Sequence, residues 1–167
     1  MKSIRIALSL FLLAAAAFAQ TAAQKSFDQL KSLTGSWEGT TSEGTSVTVS
    51  FRNTAGGSAL LSEIQGMGHE DMITMFHLDG ANRLLMTHYC SAGNQPRMAA
   101  TASPDGKTIA FDFLDATNLA TVDAGHMQRV VISMVDPNRH TENWTFVDHG
   151  KEKKVLFDLQ RREIAKK

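Results

Sequence analysis

Leu30-Lys31-Ser32-Leu33-Thr34-Gly35-Ser36-Trp37-Glu38-Gly39 is the stretch that decides the fold. Phe27, Leu30 and Leu33 recur at i, i+3 and i+6, one face of about two helical turns, with Ser26 placed as the N-cap. Gly35 then predicts the end of the helix, and from Trp37 onward the apolar period changes to two. A short helix that runs into Gly-x-Trp at the head of a strand sets the register for everything downstream.

Downstream, turn chemistry punctuates the chain about every 8–12 residues. Ser42-Glu43-Gly44, Asp79-Gly80-Ala81-Asn82, Pro104-Asp105-Gly106, Asp136-Pro137-Asn138 and Asp148-His149-Gly150 are turn sequences, as is the polar stretch 53–57. Gly and Asn tolerate positive φ there, and Pro presets the first corner. Ten candidate strands lie between them, at 37–41, 45–52, 58–65, 72–78, 83–90, 95–102, 107–114, 126–135, 139–147 and 152–160. Such close spacing leaves no room for crossover helices, so the strands must be antiparallel neighbours. Closing the meander on itself removes its exposed edges. The expectation is an all-β fold: a single antiparallel up-and-down barrel of about ten strands with a short N-terminal helix. Residues 115–125 form the longest break and are predicted to be a rim loop.

Ahead of this block, Lys2 and Arg5 precede an almost unbroken apolar run over residues 6–17, and Ala17-Phe18-Ala19 follows as a small-x-small cleavage pattern. We read residues 1–19 as a signal peptide, too short for a bilayer crossing of about 20 residues. Residues 20–167 are then one β-barrel domain, periplasmic or secreted, with no membrane span. The chain carries 17 basic and 17 acidic residues, and losing Lys2 and Arg5 leaves a slight acidic excess. No basic stripe is left to hold a polyanion, so nucleic acid is not an expected partner. Cys90 is the only cysteine, which excludes an intramolecular disulfide and leaves stability to the core.

With the Leu33-Thr34-Gly35-Ser36-Trp37-Glu38-Gly39 motif, the helix before it and ten strands after it, the chain resembles the calycin superfamily. That superfamily includes the lipocalins, fatty-acid-binding proteins and nitrobindin-like barrels, and exported bacterial lipocalin-like proteins share its pattern. The resemblance implies that Trp37 packs across one barrel end and that the interior holds a small molecule. Two family features find no match. Nitrobindin-like proteins hold haem through a histidine near the C-terminus, whereas residues 151–162 contain none. Fatty-acid-binding barrels use paired arginines and a tyrosine, whereas Arg161 and Arg162 are adjacent, on opposite strand faces, and the one tyrosine is Tyr89.

Alternation assigns faces to the strands. Leu84 and Met86 share one with His88 and Cys90; Val130, Ile132 and Met134 share one with His126 and Gln128; Trp144 and Phe146 share one with His140 and Glu142. Polar groups on otherwise apolar faces are the usual composition of small-ligand pockets. The densest polar cluster, from His88 to Arg97, sits where one strand turns into the next. We therefore expect Trp37, Met86, His88, Arg97, His126 and Trp144 to line or gate a site for a small apolar or amphipathic molecule. Arg97 and His88 would be its polar anchors. The competing readings are a haem-binding nitrobindin-like protein, an enzyme using His88 or His126 as acid or base, and a barrel filled with side chains that acts through its surface. No catalytic residue and no metal ligand is assigned. The six histidines lack paired-ligand spacing, although Gly68-His69-Glu70-Asp71 puts an imidazole beside two carboxylates, and His88, His126 and His140 could converge across strands. Seven methionines (67, 72, 75, 86, 98, 127 and 134) read as adaptable core filling.

Overall fold

The computed structural model describes residues 20–67 and 71–162; the signal-peptide reading and most of the 68–71 cluster lie outside them. One helix, α1 (Ala22–Lys31), leads into ten strands. These are β1 (Gly35–Thr41), β2 (Ser46–Thr54), β3 (Ala59–Gln65), β4 (Met72–Asp79), β5 (Arg83–Tyr89), β6 (Gln95–Ala102), β7 (Thr108–Thr117), β8 (His126–Asp136), β9 (Arg139–Asp148) and β10 (Lys151–Arg161). Each pairs antiparallel with its sequence neighbour, and β1 pairs with β10 to close the barrel. The strand rhythm read from the sequence holds for all ten. The rim loop is shorter than expected, because β7 continues to Thr117.

The helix begins earlier than the apolar pattern suggests. Thr21, not Ser26, is the N-cap: its hydroxyl accepts from Gln24 N at 3.2 Å. The same hydroxyl donates to the Ala81 carbonyl in the β4–β5 turn, which ties the helix start to the barrel. Ser26 is buried inside the helix, and Ser32, not Gly35, caps its end. Phe27, Leu30 and Leu33 are buried as one apolar face over this end of the barrel.

Trp37 is fully buried at the closed end, and its indole Nε1 donates to Leu33 O at 2.7 Å. The turn after α1 and the first strand are therefore joined through a side chain. Truncating a buried Trp to alanine costs about 3–5 kcal/mol in general. Arg161, the β10 partner of Trp37, lays its guanidinium 4.2 Å from the indole ring centre. It donates to Thr34 O and Ser32 O at 2.9 Å each and to Pro137 O at 3.2 Å, filling carbonyls left open at the helix end. Arg162 faces outward, toward Glu38. The closed half of the barrel is solid: Leu60, Phe76, Leu84, Met86, Met98 and Phe111 are all 1% exposed or less.

Gly39 makes the closure possible. A Cβ at this position would stand 1.8 Å from Asp158 O on β10, so only a residue without a side chain lets β1 approach the last strand.

Candidate functional site

Strand β9 is the spine of the interior. Its inward residues run from the closed end to the mouth as His140, Glu142, Trp144 and Phe146. His140 meets Trp37 edge-on, with ring centres 4.3 Å apart, and its Nε2 lies 3.2 Å from Glu142 Oε1. Glu142 is 1% exposed, and its second oxygen accepts from Trp144 Nε1 at 2.9 Å. A buried carboxyl group needs partners on both oxygens, and here each has one. The bond fixes the orientation of the Trp144 ring, which forms part of the wall of a cavity.

That cavity occupies the half of the barrel opposite α1 and has a volume of about 450 Å3. Its inner wall is Ile64, Met72, His88, Trp144, Val155 and Phe157. Met67, Met127 and Phe146 stand higher, and Cys90, Ser91 and Ala92 of the β5–β6 turn lie at the mouth with Glu43 and Lys153. Ser91, Ala92, Glu43 and Lys153 are exposed, so the cavity reaches solvent on this side. The Lys153 ammonium is engaged by Glu43 at 2.8 Å. The lining is chiefly apolar with few polar groups, as small-molecule sites are.

His88 is the polar group set deepest in this wall. It is fully buried, its ring centre lies 4.9 Å from that of Trp144, and its Nδ1 is 2.9 Å from Thr74 Oγ1. Thr74 and His88 are cross-strand partners on the inner face of β4 and β5, so their side chains meet as sheet geometry requires. His88 Nε2 has no partner. Burial pushes the His88 pKa down to about 4 and that of the Cys90 thiol up, so both are uncharged at neutral pH. A thiolate–imidazolium pair between them is not formed.

Of the six residues singled out in the sequence, the structure brings His88 and Trp144 together at the cavity. Trp37 and Met86 are interior but belong to the solid, closed half. Arg97 does not point inward. Pro96 and Met98 are buried on either side of it, and alternation turns Arg97 to the outer face, where it forms a two-bond ion pair with Asp115, its Nε donating at 2.6 Å. It is not the interior anchor expected. The hairpin reaches the cavity instead through His88, Cys90, Ser91 and Ala92.

His126 is displaced by a bulge. The β8–β9 register shifts between Met127 and Arg129, which sets Met127 opposite Phe146. Met127 therefore shares the cavity face, and the alternation that put His126 on it is broken. His126 instead packs on Phe113 at 4.5 Å, with Nδ1 at 2.7 Å from Ala124 O and Nε2 at 3.0 Å from Gln128 Oε1. Both ring nitrogens are occupied by the wall, which leaves none to exchange a proton with a substrate. His88, His126 and His140 thus serve three separate places and do not converge. Among the described residues no group of three or more His, Cys, Asp or Glu side chains is placed to hold a metal ion.

The C-terminal histidine through which nitrobindin-like proteins hold haem has no counterpart among the described residues. β10 carries no histidine, and His149, on the preceding turn, is exposed and held by Asp148 at 2.8 Å. Residues missed in the sequence reading are Ile64, Met72, Met127, Phe146, Val155 and Phe157. The alternation of β4, β9 and β10 carried the signal for most of them, whereas only the bulge reveals Met127.

No family model and no curated protein sequence matches the chain. Among solved structures, Rv2717c from M. tuberculosis is similar in fold, with a TM-score of 0.59 at 15% identity over 83% of this chain and 98% of that one. That likeness extends to the barrel fold and no further.

Proposed function

We propose that this chain is an exported, calycin-type barrel that carries a small, largely apolar molecule in its mouth-side cavity. The observation that carries the reading is the division of the interior into two halves. The half under α1 is packed solid around Trp37, as a purely structural barrel would be throughout. The half at the mouth leaves about 450 Å3 between apolar walls. Small-ligand sites occupy about 300–1,000 Å3, and their polar groups are few. The wall is also held in shape before any ligand arrives, since Glu142 fixes Trp144 and Thr74 fixes His88. Preorganisation of this kind reduces the ordering cost of binding.

Native mass spectrometry of the protein purified from its own envelope tests the reading. A stoichiometric adduct that is released on unfolding is expected, on a chain beginning at Gln20. A bare polypeptide that also takes up no naphthalene-type apolar probe would overturn the carrier function. An N-terminus at Met1 in the envelope fraction would overturn the export reading separately.

A further inference from the structure

We infer that His88 and Thr74 together present a neutral N–H donor to the cavity, selecting apolar molecules that carry an uncharged oxygen acceptor such as a ketone or quinone carbonyl. This rests on the carrier function proposed above and specifies the ligand class of the same cavity.

Hydrogen-bond satisfaction decides which ring nitrogen of His88 carries the proton. A neutral imidazole has one N–H and one lone pair, and a threonine hydroxyl has one proton to donate. Thr74 and His88 are both fully buried, and among the described residues the Thr74 hydroxyl has His88 Nδ1 as its single partner, at 2.9 Å. Two arrangements satisfy that contact. If Nδ1 held the proton and donated to Thr74 Oγ1, the hydroxyl proton would have no acceptor and the Nε2 lone pair no donor. If Thr74 donates to Nδ1, the proton sits on Nε2, and that N–H is the single group left over. An unsatisfied buried polar group costs about 1–3 kcal/mol, so the arrangement with one orphan prevails over that with two.

The placement of the ring gives that orphan its role. His88 lines the cavity with Nδ1 held by Thr74, and its Nε2, unpartnered and without exposed surface, is reached by a ligand oxygen only as the side chains around it give way. Ligand charge is disfavoured. A buried imidazole that stays neutral at pH 7 offers no counter-charge to a carboxylate or phosphate, and the Lys153 ammonium at the mouth is already paired with Glu43. The neighbouring surfaces are the Trp144 ring, Met72, Ile64 and Phe157, which suit a flat apolar body.

Two measurements test this. The first needs no variant: ring 15N shifts of His88 in the purified protein should show Nε2 protonated and Nδ1 bare at pH 7. A protonated Nδ1 overturns the proposal, because the cavity would then face a lone pair suited to a donor or a metal such as haem iron. The second compares 2-acetylnaphthalene with 2-isopropenylnaphthalene, of nearly the same shape but with a methylene in place of the carbonyl oxygen. The ketone should bind about tenfold more tightly to the wild type, and His88→Phe should remove that preference while retaining the hydrocarbon. Equal binding of the two probes to the wild type overturns the donor assignment and leaves the carrier function standing. Binding of neither overturns this inference, and together with a bare polypeptide in the native mass spectrum it overturns the carrier function as well.

Discussion

Trp144 and Glu142, two residues apart on one strand, are joined on the inner face of β9 by an indole-to-carboxyl hydrogen bond of 2.9 Å. The other oxygen of Glu142 faces His140 at 3.2 Å, so a single carboxyl group links the packed closed end to the wall of the cavity. Glu142→Leu would leave two buried ring nitrogens without partners. At about 1–3 kcal/mol for each, the expected loss is about 2–6 kcal/mol of stability, read as a lower urea midpoint. Glu142→Gln keeps the shape, an acceptor for Trp144 and a donor for His140, and should retain most of the stability. Equal losses in the two variants would show that the links to the ring nitrogens are not what the residue provides.

The barrel seam makes an independent prediction. Gly39→Ala drives a methyl group to within 1.8 Å of the Asp158 carbonyl oxygen, which is backbone and cannot swing aside. β1 and β10 must separate locally, at a cost of about 3 kcal/mol or more. Gly44→Ala is the control: its φ of +80° carries strain, but no atom lies within 4 Å of the added carbon. Urea unfolding should rank Gly39→Ala well below Gly44→Ala, and the reverse order would contradict the role given to the seam.

Much of this architecture was legible in the chain because turn residues and period-two alternation are local signals. The Gly-x-Trp motif was legible too, and Gly39 within it proved to be the point of closest approach at the seam. The site was less so. Alternation alone places Arg97 outside, between buried Pro96 and Met98; its chemistry, not its position, made it look like an anchor. His126 and Met127 are a different case. A bulge exchanges their faces, and no residue type there signals it, because a bulge depends on how the neighbouring strand pairs. Arg161 could have been placed beside Trp37 by extending the inward series of Phe157 and Leu159 by two residues.

Burial of His88 predicts an acid-labile barrel. In the unfolded chain a histidine takes up its proton near pH 6.5, whereas in the fold the His88 pKa is pushed down to about 4. Between those values the unfolded state binds more protons, so stability falls as pH falls. The contribution is complete above pH 6.5, is lost progressively down to pH 4, and amounts to about 3 kcal/mol. His149 acts in the opposite sense, since Asp148 and Asp123 raise its pKa, but it is exposed and common to both proteins in the comparison. Urea titrations at pH 7 and pH 4.5 should show wild type losing more stability than His88→Phe. Parallel losses would mean that His88 is not the group responsible.

Arg97 and Met127 invert the ranking that residue chemistry alone would give. The Arg97 side chain is 55% exposed on the outer face, and its partner is Asp115, not the interior. An exposed ion pair contributes little to stability in general. Arg97→Ala should therefore bind 2-acetylnaphthalene with wild-type affinity and unfold near the wild-type midpoint. Met127 is an unremarkable side chain chemically, yet the bulge turns it into the cavity opposite Phe146. Met127→Trp would occupy part of the space a ligand needs, and the same probe should bind at least tenfold more weakly. Overpacking elsewhere in the core is expected to cost about 1–3 kcal/mol, so circular dichroism and the unfolding midpoint must first show a folded barrel. A folded Met127→Trp with unchanged affinity, or a loss of binding in Arg97→Ala, would place the ligand outside the cavity.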